Sequence, residues 1–125
     1  MVRDLTKEDF EETVLENNIV VVDFWAPWCG PCRSFAPVYG KVADLHPDVV
    51  FAKVNTEEEQ ELAAGFHIRS IPTLMIVRDK VIVYSEPGAL PESGLSQVVE
   101  KVKSLDMEEV NRQVDTQEQK SASQG

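Results

Sequence analysis

Two cysteines stand two residues apart in FWAPWCGPC, residues 24–32, and the chain has no others. A Cys-x-x-Cys pair supports either a dithiol/disulfide couple or half of a metal site. A zinc site would need two further ligands, and the sequence offers only His46 and His67, with no second cysteine pair. His46 falls at an expected helix end before Pro47 and His67 in a loop, so both are expected on the surface. A disulfide between such close partners closes too small a loop to be a useful structural staple. The pair therefore reads as redox chemistry.

That chemistry depends on where the pair sits. Ile19–Phe24 reads as a buried strand, short, apolar and largely β-branched. After a brief turn, a helix is expected from about Pro31, which suits a first helical position because its missing N–H is not needed there. Cys29 then falls at the helix N-terminus, where unpaired N–H groups and the positive dipole end stabilise a thiolate, the nucleophilic form. Cys32 lies one turn further in, more enclosed and within disulfide reach of Cys29, with Gly30 and Pro31 between them.

Two charged residues interrupt apolar strands nearby. Asp23 stands near the end of IVVVDF, and Lys53 ends VFAK in the next expected strand, Val49–Val54. An unpaired carboxylate in such a place is costly and should have a raised pKa. Binding and catalytic sites of open α/β sheets form outside the carboxyl ends of strands, so both residues belong near the thiols. They read either as a buried ion pair or as a base, Asp23, serving Cys32, with Lys53 tuning it.

The positioning elements follow from periodicity. Thr6 reads as the N-cap of a first helix carrying Phe10, Thr13 and Val14 inward and ending at Asn17-Asn18. Phe35, Val38, Tyr39, Val42 and Leu45 form the apolar stripe of the helix after the cysteines, with Pro37 expected to kink it. Glu57–Gly65 reads as a shorter helix. Thr73–Arg78 and Val81–Tyr84 form a hairpin, and Leu95, Val98, Val99, Val102 and Leu105 mark a last amphipathic helix. With a thin edge strand at Val2–Asp4, strands alternating with helices imply an α/β fold. Its mostly parallel sheet would be covered on both faces, with an antiparallel edge.

Composition sets the outer bounds. The 125 residues suit one domain over residues 1–106, and 42% hydrophobic with 27% charged is ordinary for a globular protein. From residue 107 to 125 the chain turns polar, so this acidic tail is expected to be disordered. The net charge is −10. Without a basic stripe, neither nucleic acid nor an anionic membrane is an expected partner. No run is long enough to span a bilayer and the N-terminus lacks a secretory pattern, so the expected location is cytoplasmic.

DFWAPWCGPC, together with SIPT at 70–73 and GAL at 88–90, resembles the thioredoxin family over about residues 4–105. The resemblance implies the thioredoxin fold and a protein-disulfide reductase working through Cys29 and Cys32. It implies recycling by a thioredoxin reductase drawing on NADPH or another donor, with no cofactor bound to the chain itself. Family members carry Asp and Lys where Asp23 and Lys53 stand, and a cis proline at the position of Pro72. Trp28, Pro31, Ile71, Pro72, Gly88 and Ala89 would then ring Cys29 as an apolar substrate platform, with Trp25 packing beneath. Arg33 matches a basic residue common in the family. A monomer is expected, meeting reductase and disulfide-containing proteins in turn.

Two readings compete. A dithiol oxidase or isomerase of the same fold usually has histidine before its second cysteine, where this chain has Pro31. An interaction protein would leave the thiols incidental. Two departures from the family pattern also stand out: the hairpin turn Arg78-Asp79-Lys80 lacks glycine, and Pro87 precedes Gly88 beside the platform.

Overall fold

Strands that are apolar on both faces, and amphipathic helices between them, give the chain its layers. A computed structural model of the chain describes the backbone of residues 1–124 and the side chains of residues 1–115. Its elements are β1 (Val2–Asp4), α1 (Lys7–Glu16), β2 (Ile19–Trp25), α2 (Gly30–Leu45) and β3 (Val50–Asn55). They continue with α3 (Gln60–Gly65), β4 (Thr73–Arg78), β5 (Val81–Pro87), α4 (Glu92–Lys103) and α5 (Met107–Gln124). The sheet runs β1-β3-β2-β4-β5. β3 is parallel to both β1 and β2, whereas β4 is antiparallel to β2 and to β5.

Because successive strand residues point to opposite faces, the same strands feed two cores. Val21, Phe51, Leu74 and Ile76 turn towards α2 and α4, meeting Phe35, Tyr39, Val42, Leu95 and Val99. Val20, Val22, Phe24, Ala52, Val54, Met75 and Val77 turn the other way, onto Phe10 and half-buried Val14, Leu62 and Phe66. Each fully buried large apolar side chain contributes about 1.5–3 kcal/mol of transfer free energy. Together the two cores clamp β2 from both sides, which fixes the strand that leads into the cysteines.

Helix ends are satisfied by side chains. Asp9 Oδ1 accepts the Thr6 N–H at 2.6 Å, closing the start of α1. Arg78 Nη1 donates to the carbonyls of Val102, Lys103 and Leu105 at 2.6, 3.1 and 2.9 Å, so a residue of β4 caps the end of α4. Asp106 Oδ1 accepts the N–H groups of Glu108 and Glu109 at 3.1 and 3.3 Å, and α5 begins there.

Several expectations need correction. The tail expected to be disordered is helical over Met107–Gln124. Beyond its Asp106 cap it carries half-buried Met107, Val110 and Val114 at helical spacing, and the last two share a groove with Val81, Val83 and Leu105. Leu45, assigned to the inward stripe of α2, is exposed. The helix expected from Glu57 begins only at Gln60, after a turn over residues 56–58 in which the Asn55 side chain accepts the Glu57 N–H at 3.0 Å.

His46, expected on the surface, is buried. Its ring stacks on Phe51, its Nε2 lies 3.1 Å from Ser96 Oγ and its Nδ1 2.8 Å from Lys103 Nζ. An ammonium only donates, so Nδ1 accepts and the Nε2–H donates to Ser96. Lys103 also reaches Asp48 at 3.1 Å, which fastens α4 to the turn leading into β3. His67 is exposed.

The hairpin forms its turn without glycine. Asp79 and Lys80 both have positive φ, 49° and 71°, the pattern of a primed turn whose twist matches the strands. Asp79 also donates its N–H to Asn18 O at 2.8 Å. Aspartate tolerates this region better than lysine. Replacing exposed Lys80 by glycine should therefore raise the unfolding free energy by about 1 kcal/mol. Urea denaturation measures it, and an unchanged or lower midpoint would show that the turn stores no such strain.

Candidate active site

The site begins where β2 ends. Thr56 donates both its N–H and its hydroxyl to Trp25 O, at 2.9 and 3.0 Å, tying the ends of β2 and β3 together. The chain then turns through Ala26, whose carbonyl accepts the Cys29 N–H at 3.2 Å, and enters α2 with Cys29 as its N-cap. Pro31 stands within the first two helical positions.

Cys29 and Cys32 are joined as a disulfide, their Cα atoms 5.2 Å apart, inside the span such a bond requires. Cys32 N–H donates to Cys29 Sγ at 3.2 Å. A free backbone donor of the helix N-terminus is thus aimed at the sulfur that would carry the charge in the reduced state. The Ile71 carbonyl oxygen lies 3.8 Å from the same sulfur. Ala26, Cys29 and Cys32 form a small buried cluster with Trp25 and Ile71 packed against it.

Asp23 and Lys53 are direct neighbours across β2 and β3. Asp23 alternates with Val22 and shares the face of Val21, the face that packs on α2. It is 1% exposed, and neither carboxylate oxygen has a hydrogen-bond partner among the described residues. Burial pushes its pKa up to about 7, with the positive charge of Lys53 opposing part of the rise. The charge of Asp23 also adds to the rise that burial imposes on Tyr39, whose hydroxyl donates to Ala52 O at 2.7 Å. Among the described residues, Asp23 and Lys53 do not close the buried ion pair that was one of their two readings. Lys53 Nζ instead sits over the Trp25 ring, 4.2 Å from its centroid. That places a cation on an aromatic face, directly above the ring that packs on the disulfide.

The platform residues are only partly exposed. Trp28 is 65% exposed, and Pro31, Gly88 and Ala89 are also exposed, whereas Ile71 is half-buried and Pro72 buried. The Ile71–Pro72 peptide bond is cis, and Pro72 O accepts the Gly88 N–H at 2.8 Å. Gly88 has φ 102°, which favours glycine there. Arg33 turns back to donate to Pro27 O at 3.0 Å, bracing the loop before the cysteines. Sequence reasoning missed Glu57, whose carboxylate accepts from Trp28 Nε1. The available signal was its place just past the carboxyl end of β3.

The family model named Thioredoxin matches residues 1–101. This chain belongs to the thioredoxin family. It is 55% identical over 115 residues to a putative thioredoxin 2 of Streptomyces coelicolor, covering 92% of this chain and 86% of the relative. It is 48% identical over 99 residues to thioredoxin 1 of Synechococcus elongatus, covering 78% of this chain and 92% of that one. Among solved structures, Fasciola hepatica thioredoxin superposes with a TM-score of 0.74 at 36% identity, covering 79% of this chain and 97% of the other. The fold is accordingly the thioredoxin fold, and the Cys29–Cys32 pair makes the protein a thiol–disulfide oxidoreductase. Reductases and disulfide-bearing proteins are its partners in the general sense that the family implies. Among the described residues no helix is long and apolar enough to cross a membrane.

Asp23 also makes stability depend on pH. Its folded pKa of about 7 lies above the ordinary carboxylate value of 3.8, so the folded state holds this proton where the unfolded state has lost it. The associated stability is complete below about pH 4 and is lost as pH rises through 7, by up to about 4 kcal/mol. Asp23→Asn should flatten this decline, leaving the oxidised protein more stable than wild type at about pH 8 and nearly equal at about pH 4. Parallel decline of both proteins in thermal scans across that range would show that the carboxylate does not set it.

Proposed function

We propose that the protein is a protein-disulfide reductase that carries two electrons from a reductase to disulfide-bonded proteins. The observation that carries this reading is the Cys32 N–H directed at Cys29 Sγ at the start of α2, above a buried carboxylate without partners among the described residues. In the reduced protein Cys29 is the thiolate. It attacks one sulfur of a substrate disulfide, forming the Cys29–substrate bond and breaking the substrate S–S bond, and the displaced thiolate takes a proton from water.

Cys32 completes the cycle. Its thiol gives its proton to Asp23, a base whose pKa of about 7 suits the exchange near neutral pH. The Cys32 thiolate then attacks Cys29 Sγ, forming the internal disulfide and releasing the second substrate thiolate. Lys53 sets how readily Asp23 ionises, because its charge is what opposes the burial penalty. Trp28, Pro31, Ile71, Gly88 and Ala89 contact the incoming segment, around Pro72 and with Gly30 leaving room at the bridge. A thioredoxin reductase, drawing on NADPH or another donor, restores the dithiol, and the chain acts as a monomeric electron-transport protein of the cytoplasm without a bound cofactor.

The reduction potential tests the direction of transfer. Equilibration with dithiothreitol should give about −270 mV, the value characteristic of thioredoxins as a class. A value of about −120 to −180 mV would identify a disulfide donor or isomerase instead. Cys32→Ser should accumulate the mixed disulfide, visible by mass. In Asp23→Asn the first attack should persist while release of reduced substrate slows by about a hundredfold near pH 7, the low end of what a general base contributes. An unchanged release rate with an unchanged pH profile would remove Asp23 from the mechanism.

A further inference from the structure

Charge around the cysteines is distributed unevenly. In the strand order β3 lies on one side of β2, and β4 and β5 on the other. Beyond β3 stand Glu57, Glu58 and Glu59, with Trp28 bonded to the first. On the opposite side, the loop from α3 to β4 brings His67, Arg69 and Ser70 into a recess completed by Ser85 and Pro87 of β5 and backed by Phe66. Among the described residues no carboxylate lines this recess, although the chain carries a net charge of −10. Glu86 alternates away from it, onto the face of Tyr84.

The recess is rich in uncommitted donors. Arg33 and Arg78 spend their guanidinium groups on backbone carbonyls, and Arg112 is bonded to Glu109. Among the described residues the side chains of His67, Arg69, Ser70 and Ser85 have no hydrogen-bond partner. A guanidinium presents five N–H groups in a fork that matches a carboxylate. His67 has φ 56°, a left-handed conformation that costs a residue with a side chain about 1 kcal/mol or more. This is the turn that ends α3, where the His67 N–H donates to Ala64 O and the Ile68 N–H to Ala63 O, both at 3.0 Å, and it leaves the imidazole at the recess.

The distance to the reacting sulfur is short. Ser70 precedes Ile71, whose carbonyl oxygen is 3.8 Å from Cys29 Sγ. Arg69 is one residue further back, at most about 7 Å of chain from Ile71. A substrate segment extended across the site advances about 3.3 Å per residue. The recess is thus within reach of side chains two to four residues from the attacked cysteine.

We infer that the recess receives an aspartate or glutamate side chain lying two to four residues from the target cysteine of a substrate protein, held by Arg69 with His67, Ser70 and Ser85. The inference rests on the reductase role proposed above. The recess makes the protein selective among disulfides, favouring those with an acidic neighbour although the protein itself is acidic.

Two peptides closed by one disulfide test this, identical except for Glu or Lys at the third residue on either side of the bond. Their reduction by the full reduced chain is followed by tryptophan fluorescence at low ionic strength. The Glu peptide should react about threefold to tenfold faster, the size expected of one exposed charge-assisted contact plus removal of a like-charge clash. The Glu/Lys ratio should fall towards one in Arg69→Gln, fall part of the way in His67→Gly, and shrink in about 0.5 M salt. A wild-type ratio of one, or a ratio that Arg69→Gln leaves unchanged, overturns the recess as a binding site. A small neutral disulfide measured alongside separates the levels: its reduction beside a ratio of one removes only the recess. Failure of the wild-type protein to reduce any of the three disulfides overturns the reductase role and the recess together.

Discussion

The structure is organised around a carboxylate kept in a place that does not solvate it. Asp23 is buried in the middle of the sheet without a donor among the described residues, and ionising it there costs up to about 4 kcal/mol. Small domains are stable by only about 5–15 kcal/mol in total, so this one group takes a large share near neutral pH. The surrounding structure offsets it with apolar packing. β2 is covered on both faces, and the cores on either side contain most of the large buried side chains. An ion pair with Lys53 would have removed the cost and with it the neutral-range pKa. Holding Lys53 over Trp25 leaves its charge close enough to moderate Asp23 and not so close as to neutralise it.

The sheet topology explains why the site is assembled from distant parts of the sequence. β2 and β3 are parallel, so their carboxyl ends lie together and present Trp25, Cys29, Asn55 and Glu57 at one edge of the molecule. β4 is antiparallel to β2, which brings its beginning to that same edge: Thr73 pairs with Phe24, and Ile71 and Pro72 immediately precede it. β5 reverses again, so its end, Pro87, pairs with Thr73 and delivers Gly88 beside Pro72. Two parallel strands alone would bring Asp23 and Lys53 to the end of the sheet that carries the cysteines. In the function proposed above, the antiparallel pair adds the backbone and loops against which a substrate would be laid.

Much of this is legible in the sequence because it rests on local pattern. The cysteine spacing, the charged interruptions at Asp23 and Lys53 and the order of elements each follow from neighbours along the chain. What escapes depends on contacts between distant residues. His46 looks like a helix-end surface residue until α4 supplies Ser96 and Lys103 to satisfy its ring. Lys53 shows its burial in the pattern of β3, but not that its partner is an aromatic face. The primed turn at Asp79-Lys80 contradicts local preference and is imposed by the twist of the strands it joins. The helix after residue 106 escapes for a different reason. Its apolar residues are sparse, and the aspartate that caps it is one acidic residue among several in a polar stretch.

The two flanks of the site do different physical work. On the β3 flank, Glu57 holds the Trp28 indole, fixing the most exposed aromatic ring of the core domain beside Cys29. Acidic charge there repels an approaching carboxylate, and it does so where the nucleophile must itself become an anion. The positive end of α2 supports that anion from within. A negative flank discourages thiolate formation, so the local balance at Cys29 depends on the helix end lying closer than the glutamates. The 3.2 Å contact from the Cys32 N–H supplies that proximity. The β4–β5 flank, with Arg69 uncommitted, favours the thiolate and draws negative substrates to the side away from the glutamates. An acidic protein can in this way present a locally polarised site, with nucleophile activation and substrate orientation both set by which end of which element faces the sulfur.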